Sequence, residues 1–138
     1  SREKALDIVK DANKNGLMQN AELGLDKHDM VTGALCNCCS DCCFPHQLSQ
    51  KLNVQKYWPI SRYLAQPPTQ DCIKCGKCVK RCPFGIISQE KNIKEKKRMV
   101  PVINAEQCRG CGVCATGCPE GAIKMEQIGQ SLFEKKFM

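Results

Sequence analysis

Two copies of one cysteine pattern constrain this chain more than any other feature of its sequence. The pattern C-x2-C-x2-C-x3-C-P begins at Cys72 and again at Cys108, and both copies place a glycine before the third cysteine. Three cysteines at this spacing suit one face of a cubane cluster, since each thiolate can take a different iron, whereas the fourth lies too far along the chain to close the same site. We therefore expect these cysteines to bind clusters: Cys72, Cys75, Cys78, Cys82, Cys108, Cys111, Cys114 and Cys118.

The cysteine count argues against a disulfide scaffold. The chain has 13 cysteines in 138 residues, and an odd number cannot pair completely within one chain. Disulfide frameworks also belong to oxidising compartments. Two zinc knuckles would need neither the central cysteine of each array nor the trailing Cys-Pro, so zinc explains the repeat poorly. Aromatic residues make up only 5% of the chain, and bound metal is expected to supply much of the folding energy.

The two arrays resemble those of the bacterial two-cluster [4Fe–4S] ferredoxins over roughly residues 68–126. Carried over by motif position, the resemblance assigns one cluster to Cys72, Cys75, Cys78 and Cys118, and the other to Cys108, Cys111, Cys114 and Cys82. It implies an α+β, ferredoxin-like dicluster domain in which two short helices and two small β-pairs surround the clusters. It also implies that the domain carries single electrons.

A second group of five cysteines falls within eight positions of the N-terminal half: Cys36, Cys38, Cys39, Cys42 and Cys43. Cys36, Cys39 and Cys42 alone read C-x2-C-x2-C, and Cys38, Cys43 or His46 could supply a fourth ligand. Zinc could instead take any four of these groups, because it needs only tetrahedral sulfur or imidazole. The sequence leaves three alternatives open for this segment: a third iron–sulfur centre, one zinc ion, or free and redox-active thiols.

The remaining patterns divide the chain into residues 1–66, a helical, cysteine-rich N-terminal subdomain, and residues 67–138, the ferredoxin domain, with Pro67-Pro68 at the boundary. Residues 2–15 read as a helix that Ser1 caps and Gly16 ends, followed by the start of a strand at Leu17 and Met18. Residues 22–29 are polar and predict a loop. Residues 57–60 (YWPI) predict a structural clasp, and residues 126–138 predict a short C-terminal helix.

The order of the segments carries a broader resemblance. The chain is similar to the C-terminal portion of longer iron–sulfur proteins of anaerobic bacteria and archaea. The resemblance rests on three segments in order: Glu3, Ala5 and Leu6 in the first helix, then CNCC from Cys36, then the two arrays. That resemblance implies a module fused to, or complexed with, a larger oxidoreductase. The chain begins with Ser1 rather than Met, and we expect it to be a piece of something longer.

Charge and hydropathy limit the partners. The formal net charge is +7, and two oxidised clusters, each about −2 with its thiolates, would leave roughly +3. Basic residues crowd the first array (Lys74, Lys77, Lys80 and Arg81), Arg109 lies in the second, and residues 89–98 are polar and basic. We expect an acidic redox partner. No aromatic-basic interleaving supports nucleic-acid binding.

No apolar run approaches the roughly 18–20 residues of a membrane span, and no signal peptide is visible, so we expect a reducing cytoplasm.

Two functions remain in competition. One is an electron-transfer module, and the other is a three-centre catalytic or reductive-activation unit, for example of a corrinoid protein, that uses the N-terminal cysteines. His28 and His46 are isolated in the sequence, and no Gly-rich phosphate loop is present. Because no catalytic constellation accompanies the cysteines, we expect no catalytic residue, and electron transfer is the better hypothesis.

Overall fold

The described part of the protein mixes short helices with three two-stranded antiparallel sheets. Its computed structural model describes residues 1–52, 61–91 and 99–129, and of Glu22, Leu23 and Lys91 it describes only the backbone. Within those residues no helix is long and apolar enough to cross a membrane. The elements run α1 (Arg2–Lys14), β1 (Met18–Leu25), β2 (Val31–Cys38), α2 (Phe44–Lys51), β3 (Tyr63–Ala65), α3 (Lys77–Arg81), β4 (Ile87–Lys91), β5 (Met99–Ile103), α4 (Val113–Thr116) and β6 (Met125–Gln127).

Helix α1 begins and ends where its sequence predicts. The Ser1 hydroxyl accepts a hydrogen bond from the Lys4 amide at 3.4 Å, which satisfies one of the free N–H groups of the first turn. Gly16, at φ +80°, follows the last turn in the left-handed conformation that glycine adopts easily. Ala12 is buried, whereas Leu6 remains 46% exposed, so α1 packs on the rest of the described chain through its C-terminal end.

A β-hairpin follows α1, and part of it was predicted to be a loop. Strands β1 and β2 pair from Met18↔Cys38 to Leu25↔Val31. In the turn between them, the Asp26 carboxylate accepts hydrogen bonds from two later backbone amides, at 2.8 and 3.0 Å. The loop prediction is therefore wrong for residues 22–25, which pair in the ladder, and correct for the turn. The N-terminal part also contains this hairpin, so its description as helical was incomplete.

The second half of the chain has the predicted two short helices, α3 and α4, and two small β-pairs. Strand β3 pairs with β6 and β4 with β5, both antiparallel. The β3–β6 pairing continues beyond the strands, because the amides of Gln66 and Thr69 donate to the carbonyls of Lys124 and Ala122 at 2.8 and 2.9 Å. Strand β3 thus precedes residue 67 and still pairs within the second half. The domain boundary itself stays a prediction.

Other predictions fall partly or wholly outside the described residues. Residues 57–60, the predicted clasp, lie outside them, as do residues 92–98 of the basic stretch and residues 130–138. The predicted C-terminal helix is wrong at its start, because residues 126 and 127 belong to strand β6. Pairing with β3, more than 60 residues earlier in the chain, determines the conformation there, and local helical periodicity cannot reveal such a partner.

Two small apolar clusters make up the core. The first lies within the second half and contains six buried residues: Ala65, Cys78, Ile87, Cys108, Cys114 and Ile123. The second is built on Met18 and Val113, which are 0% and 1% exposed, and Cys38, Cys43, Phe84 and Cys111 pack against it. The second cluster therefore joins the N-terminal hairpin and its cysteines to the second cysteine array.

Candidate metal centres

Cysteines from both arrays line one cavity beside helix α3, which we call the first cysteine site. It is lined by Cys72, Cys75, Cys78 and Cys118. Pro68, Pro101 and Ile123 line the same cavity, so the surroundings of the thiols are largely apolar. Cys78 is buried in the core, whereas Cys75 is exposed, and the site therefore reaches the protein surface. Cys118 comes from the second array, 40 residues after Cys78.

The second cysteine site is the counterpart of the first. It is lined by Cys82, Cys108, Cys111 and Cys114. Ala65, Ile86 and Met125 line it as well, and Cys108 and Cys114 are buried. Here the crossing residue is Cys82, from the first array. The structure thus brings the eight motif cysteines together in the two sets of four that the sequence resemblance implied.

The backbone repeats along with the sequence. Positions at the same place in the two arrays share a positive φ, with values of +60° and +66°, +73° and +76°, and +65° and +56°. The three pairs are Lys74 with Gly110, Gly76 with Gly112, and Gly85 with Gly121. These matching φ values show that each array turns the chain in the same way around its cavity.

The glycines in these turns serve the fold in two different ways. A Cβ on Gly112 would meet no described atom within 4 Å, so the left-handed φ of +76° alone explains this glycine. A Cβ on Gly110 would instead collide with the backbone carbonyl oxygen of Tyr63 in strand β3. At Gly110, therefore, a close approach of the backbone to a neighbouring strand requires glycine.

Three of the gathered thiols have a raised pKa. Burial raises the pKa of Cys111 to about 11. Burial, and then the charges of Cys111, Cys108 and Cys82, raise the pKa of Cys114 to about 12. In the first site, burial raises the pKa of Cys78 in the same direction, with a smaller contribution from Cys72. Four thiolates around one cavity need positive charge to balance them, which bound iron supplies.

The donor set fits a cluster. All four candidate ligands of each site are cysteine thiols, which are the ligands of [4Fe–4S] centres. In a cubane each thiolate binds its own iron, so the ligands stand around the cluster and do not converge on one point. Among the described residues, no three His, Cys, Asp or Glu side chains are gathered as they would be to hold a single metal ion. The Ala122 amide donates to the Cys118 sulfur at 3.3 Å, a contact that stabilises a thiolate.

Arg81 does not belong with the basic residues around the first site, contrary to the sequence prediction. Its guanidinium donates to three backbone carbonyls: Nε to Val113 at 3.2 Å, Nη1 to Lys14 at 3.2 Å and Nη2 to Asn13 at 2.6 Å. Arg81 therefore fastens the C-terminal end of α1 to helices α3 and α4. No pattern in the sequence signals these partners, because backbone carbonyls are present at every residue. Lys77 does line the first site and Arg109 the second.

The five N-terminal cysteines separate into an inner and an outer group. Cys36 and Cys38 share a face of β2, and Cys38 interacts with both Cys36 and Cys43. Burial first, and then the Cys43 thiol, raises the pKa of Cys38 to about 12. This inner group adjoins the second cysteine site, because Cys38, Cys43 and Cys111 pack on the same apolar cluster.

The outer group is Cys39 and Cys42, whose sulfur atoms lie 3.2 Å apart. The backbone amide and then the thiol of Cys42 lower the pKa of Cys39, with help from the Asp41 amide. The hydrogen bond to Cys39 and its charge raise the pKa of Cys42. The grouping differs from the C-x2-C-x2-C reading of the sequence, which placed Cys36 with this pair. Which of these cysteines bind a metal stays a prediction.

His46, the more distant candidate ligand, is 2% exposed in helix α2. Its ring packs against Phe84 with 5.1 Å between centroids, and Phe84 lines the second cysteine site. The aromatic contact is a second link between the N-terminal part and that site.

Comparison with known proteins agrees with the second half of this description. A family model described as a 4Fe-4S dicluster domain matches residues 71–122, a stretch that holds all eight motif cysteines and less than half of the chain. A search of curated proteins returned no match to the chain. Together with the two cysteine sites, the family match identifies residues 71–122 as an iron–sulfur domain of the ferredoxin type.

Proposed function

We propose that the chain is an electron-transfer module that holds two [4Fe–4S] clusters, the first in Cys72, Cys75, Cys78 and Cys118 and the second in Cys82, Cys108, Cys111 and Cys114. The observation that carries this proposal is the exchange of the fourth cysteine between arrays, which gives each cavity four thiols. When bound, such clusters supply one-electron redox chemistry. The apolar lining of both sites shields the buried sulfurs of Cys78, Cys108 and Cys114 from water, and the Ala122 amide stabilises the negative charge on Cys118.

The first measurement is iron and acid-labile sulfide per chain, on protein purified without oxygen. Two clusters require about eight iron and eight sulfide. The same measurement tests the N-terminal cysteines, since about four further iron would establish a third centre and one zinc would make the segment a structural site. Freshly prepared protein that holds no iron would overturn the proposal.

The crossed assignment has its own test, a pair of double variants that each remove two cysteines. Cys72→Ala with Cys118→Ala removes two ligands from one site, so one intact centre and about four iron should remain. Cys72→Ala with Cys82→Ala removes two ligands from one array but one from each site, so no centre with four cysteine ligands should remain. Iron content and the electron paramagnetic resonance of the reduced protein distinguish the two. The opposite result would show that each array binds its own cluster.

Partner choice follows from the exposed edge of the first site. Cys75 is exposed there, Ile73 is 60% exposed, and Lys77 and Lys80 are exposed on α3 beside them. A cluster at this edge would be the one that a partner reaches, and the lysines favour an acidic redox protein. We propose that such a partner belongs to a larger oxidoreductase in a reducing cytoplasm. Lys77→Ala and Lys80→Ala should together slow electron transfer and flatten its salt dependence. Lys4→Ala with Lys10→Ala, which removes the same charge from exposed positions on α1, should change neither.

A further inference from the structure

A short turn between β2 and α2 presents two thiols at the surface. It consists of Cys39, Ser40, Asp41 and Cys42 and contains the C-x2-C spacing. Cys42 is exposed and Cys39 is half-buried. Their sulfur atoms are 3.2 Å apart, about 1.2 Å more than the S–S bond of a disulfide, so a small side-chain rotation closes the gap.

The turn is held in place from outside. The Gln47 side-chain amide, on helix α2, donates to the carbonyl oxygens of Ser40 and of Asp41, the latter at 3.3 Å. The Ser40 hydroxyl also contacts the Asp41 carboxylate at 3.2 Å. These contacts fix the backbone between the two cysteines, which reduces the entropy lost when their sulfurs join.

The two thiols contact each other directly, and either of them can donate in that contact. Thiol–disulfide exchange needs one thiolate to attack the substrate disulfide and a second thiol close by to resolve the mixed disulfide. The Cys39–Cys42 pair supplies both groups, and Cys42 is exposed to solvent.

We propose that Cys39 and Cys42 form a dithiol–disulfide pair that reduces accessible disulfides, with electrons that return from the second cysteine site. One of the two cysteines, as its thiolate, attacks one sulfur of the substrate disulfide, which forms a mixed disulfide and releases the other sulfur as a thiolate. The second cysteine then loses its proton and attacks the first, which forms the Cys39–Cys42 bond and releases the second substrate thiolate. The two cysteines give up one proton each and the released thiolates take up two, so the substrate gains two electrons and two protons overall.

The return of electrons rests on the proposed function. Converting the Cys39–Cys42 disulfide back to two thiols takes two electrons and two protons, and two reduced clusters hold one electron each. Cys43, the neighbour of Cys42, packs with Cys111 on Met18 and Val113. Cys38, the neighbour of Cys39, packs on the same cluster, so this apolar cluster connects residues next to the dithiol turn with a cysteine of the second site.

Disulfide mapping tests the pair on iron-loaded full-length chain. The protein is treated with glutathione disulfide without oxygen, its remaining thiols are alkylated, and it is cut with trypsin and with a protease that cleaves before aspartate. The cut before Asp41 separates Cys39 from Cys42, so their disulfide joins two peptides. We expect that link in the wild type and in Cys36→Ser, and its loss in Cys39→Ser and Cys42→Ser. Alkylated Cys39 and Cys42 in the wild type, or zinc bound to them, would overturn the proposal.

Electron return is tested on protein with chemically reduced clusters, freed of excess reductant. Addition of glutathione disulfide, or of insulin as a protein disulfide, should reoxidise the clusters, as followed by visible absorbance. We expect at least a tenfold slower reoxidation in Cys39→Ser and an unchanged rate in Cys36→Ser. Equal rates in both variants would overturn the electron return. The iron content of every sample separates this failure from that of the proposed function, since a wild type without iron would overturn the latter alone.

Discussion

Replacing Arg81 with alanine should release helix α1 from the iron–sulfur domain. Two of the three guanidinium hydrogen bonds end on the last turn of α1, at Asn13 and Lys14, and the third ends on Val113. The side chain is half-buried, so each bond is taken at about 1 kcal/mol, below the range for buried charged donors. The α1 attachment then loses about 2 kcal/mol. The loss matters because a 13-residue helix is marginally stable by itself in water.

Hydrogen exchange measures this attachment directly. If exchange reports the population of detached α1, a loss of about 2 kcal/mol should speed exchange of the α1 amides about 30-fold. Arg81→Lys can replace one of the two bonds with its single ammonium, so about fivefold is expected. Lys80→Ala is the matched control, since Lys80 is the exposed neighbour on the same helix and carries the same charge. Equal exchange in Arg81→Ala and Lys80→Ala would refute the reasoning.

Three further outcomes follow from other features. Gly112→Ala should lower the free energy of unfolding by about 1 kcal/mol through its backbone conformation alone, whereas Gly110→Ala should lower it by about 3 kcal/mol because the new Cβ also displaces the Tyr63 carbonyl. Chemical denaturation of iron-loaded protein measures both losses, and equal losses would contradict the collision. Removing iron with a chelator should unfold α3, α4 and their β-pairs, because two-stranded sheets and one-turn helices do not persist alone. The far-ultraviolet circular dichroism should lose their contribution, and an unchanged spectrum would show that iron is not needed for the fold. Gln47→Ala should slow formation of the Cys39–Cys42 disulfide several-fold in the mapping assay, and an unchanged rate would show that Gln47 does not organise the turn.

Repetition made the second half of the chain predictable. Through their resemblance to the two-cluster ferredoxins, the two arrays implied the sets of four cysteines that the structure brings around each cavity, and two short helices with two β-pairs. Closely spaced ligands leave the backbone few routes around the group they bind, so similar arrays imply a similar local fold. Matching positive φ values at Gly76 and Gly112 show the same constraint acting twice.

The unpredicted features depend on partners outside the segment itself, from 6 residues away in the hairpin to 68 residues away at Arg81. Residues 22–25 look like a polar loop, and their strand conformation comes from pairing with β2. Residues 126 and 127 look helical, and pairing with Tyr63 and Leu64 makes them a strand. Arg81 looks like one more basic residue beside the first array, until the structure brings the end of α1 to it. Local composition carries no record of such contacts.

The exchanged cysteines also set an order during synthesis. Cys72, Cys75 and Cys78 emerge first, yet their site waits for Cys118, whereas the second site is already complete at Cys114. At about 5–20 residues per second, the 40 residues from Val79 to Cys118 take about 2–8 s to translate, during which three thiols stand without their fourth partner. The site that begins first in the chain is thus the last to be completed, and a nascent chain that stops short of residue 118 never completes it.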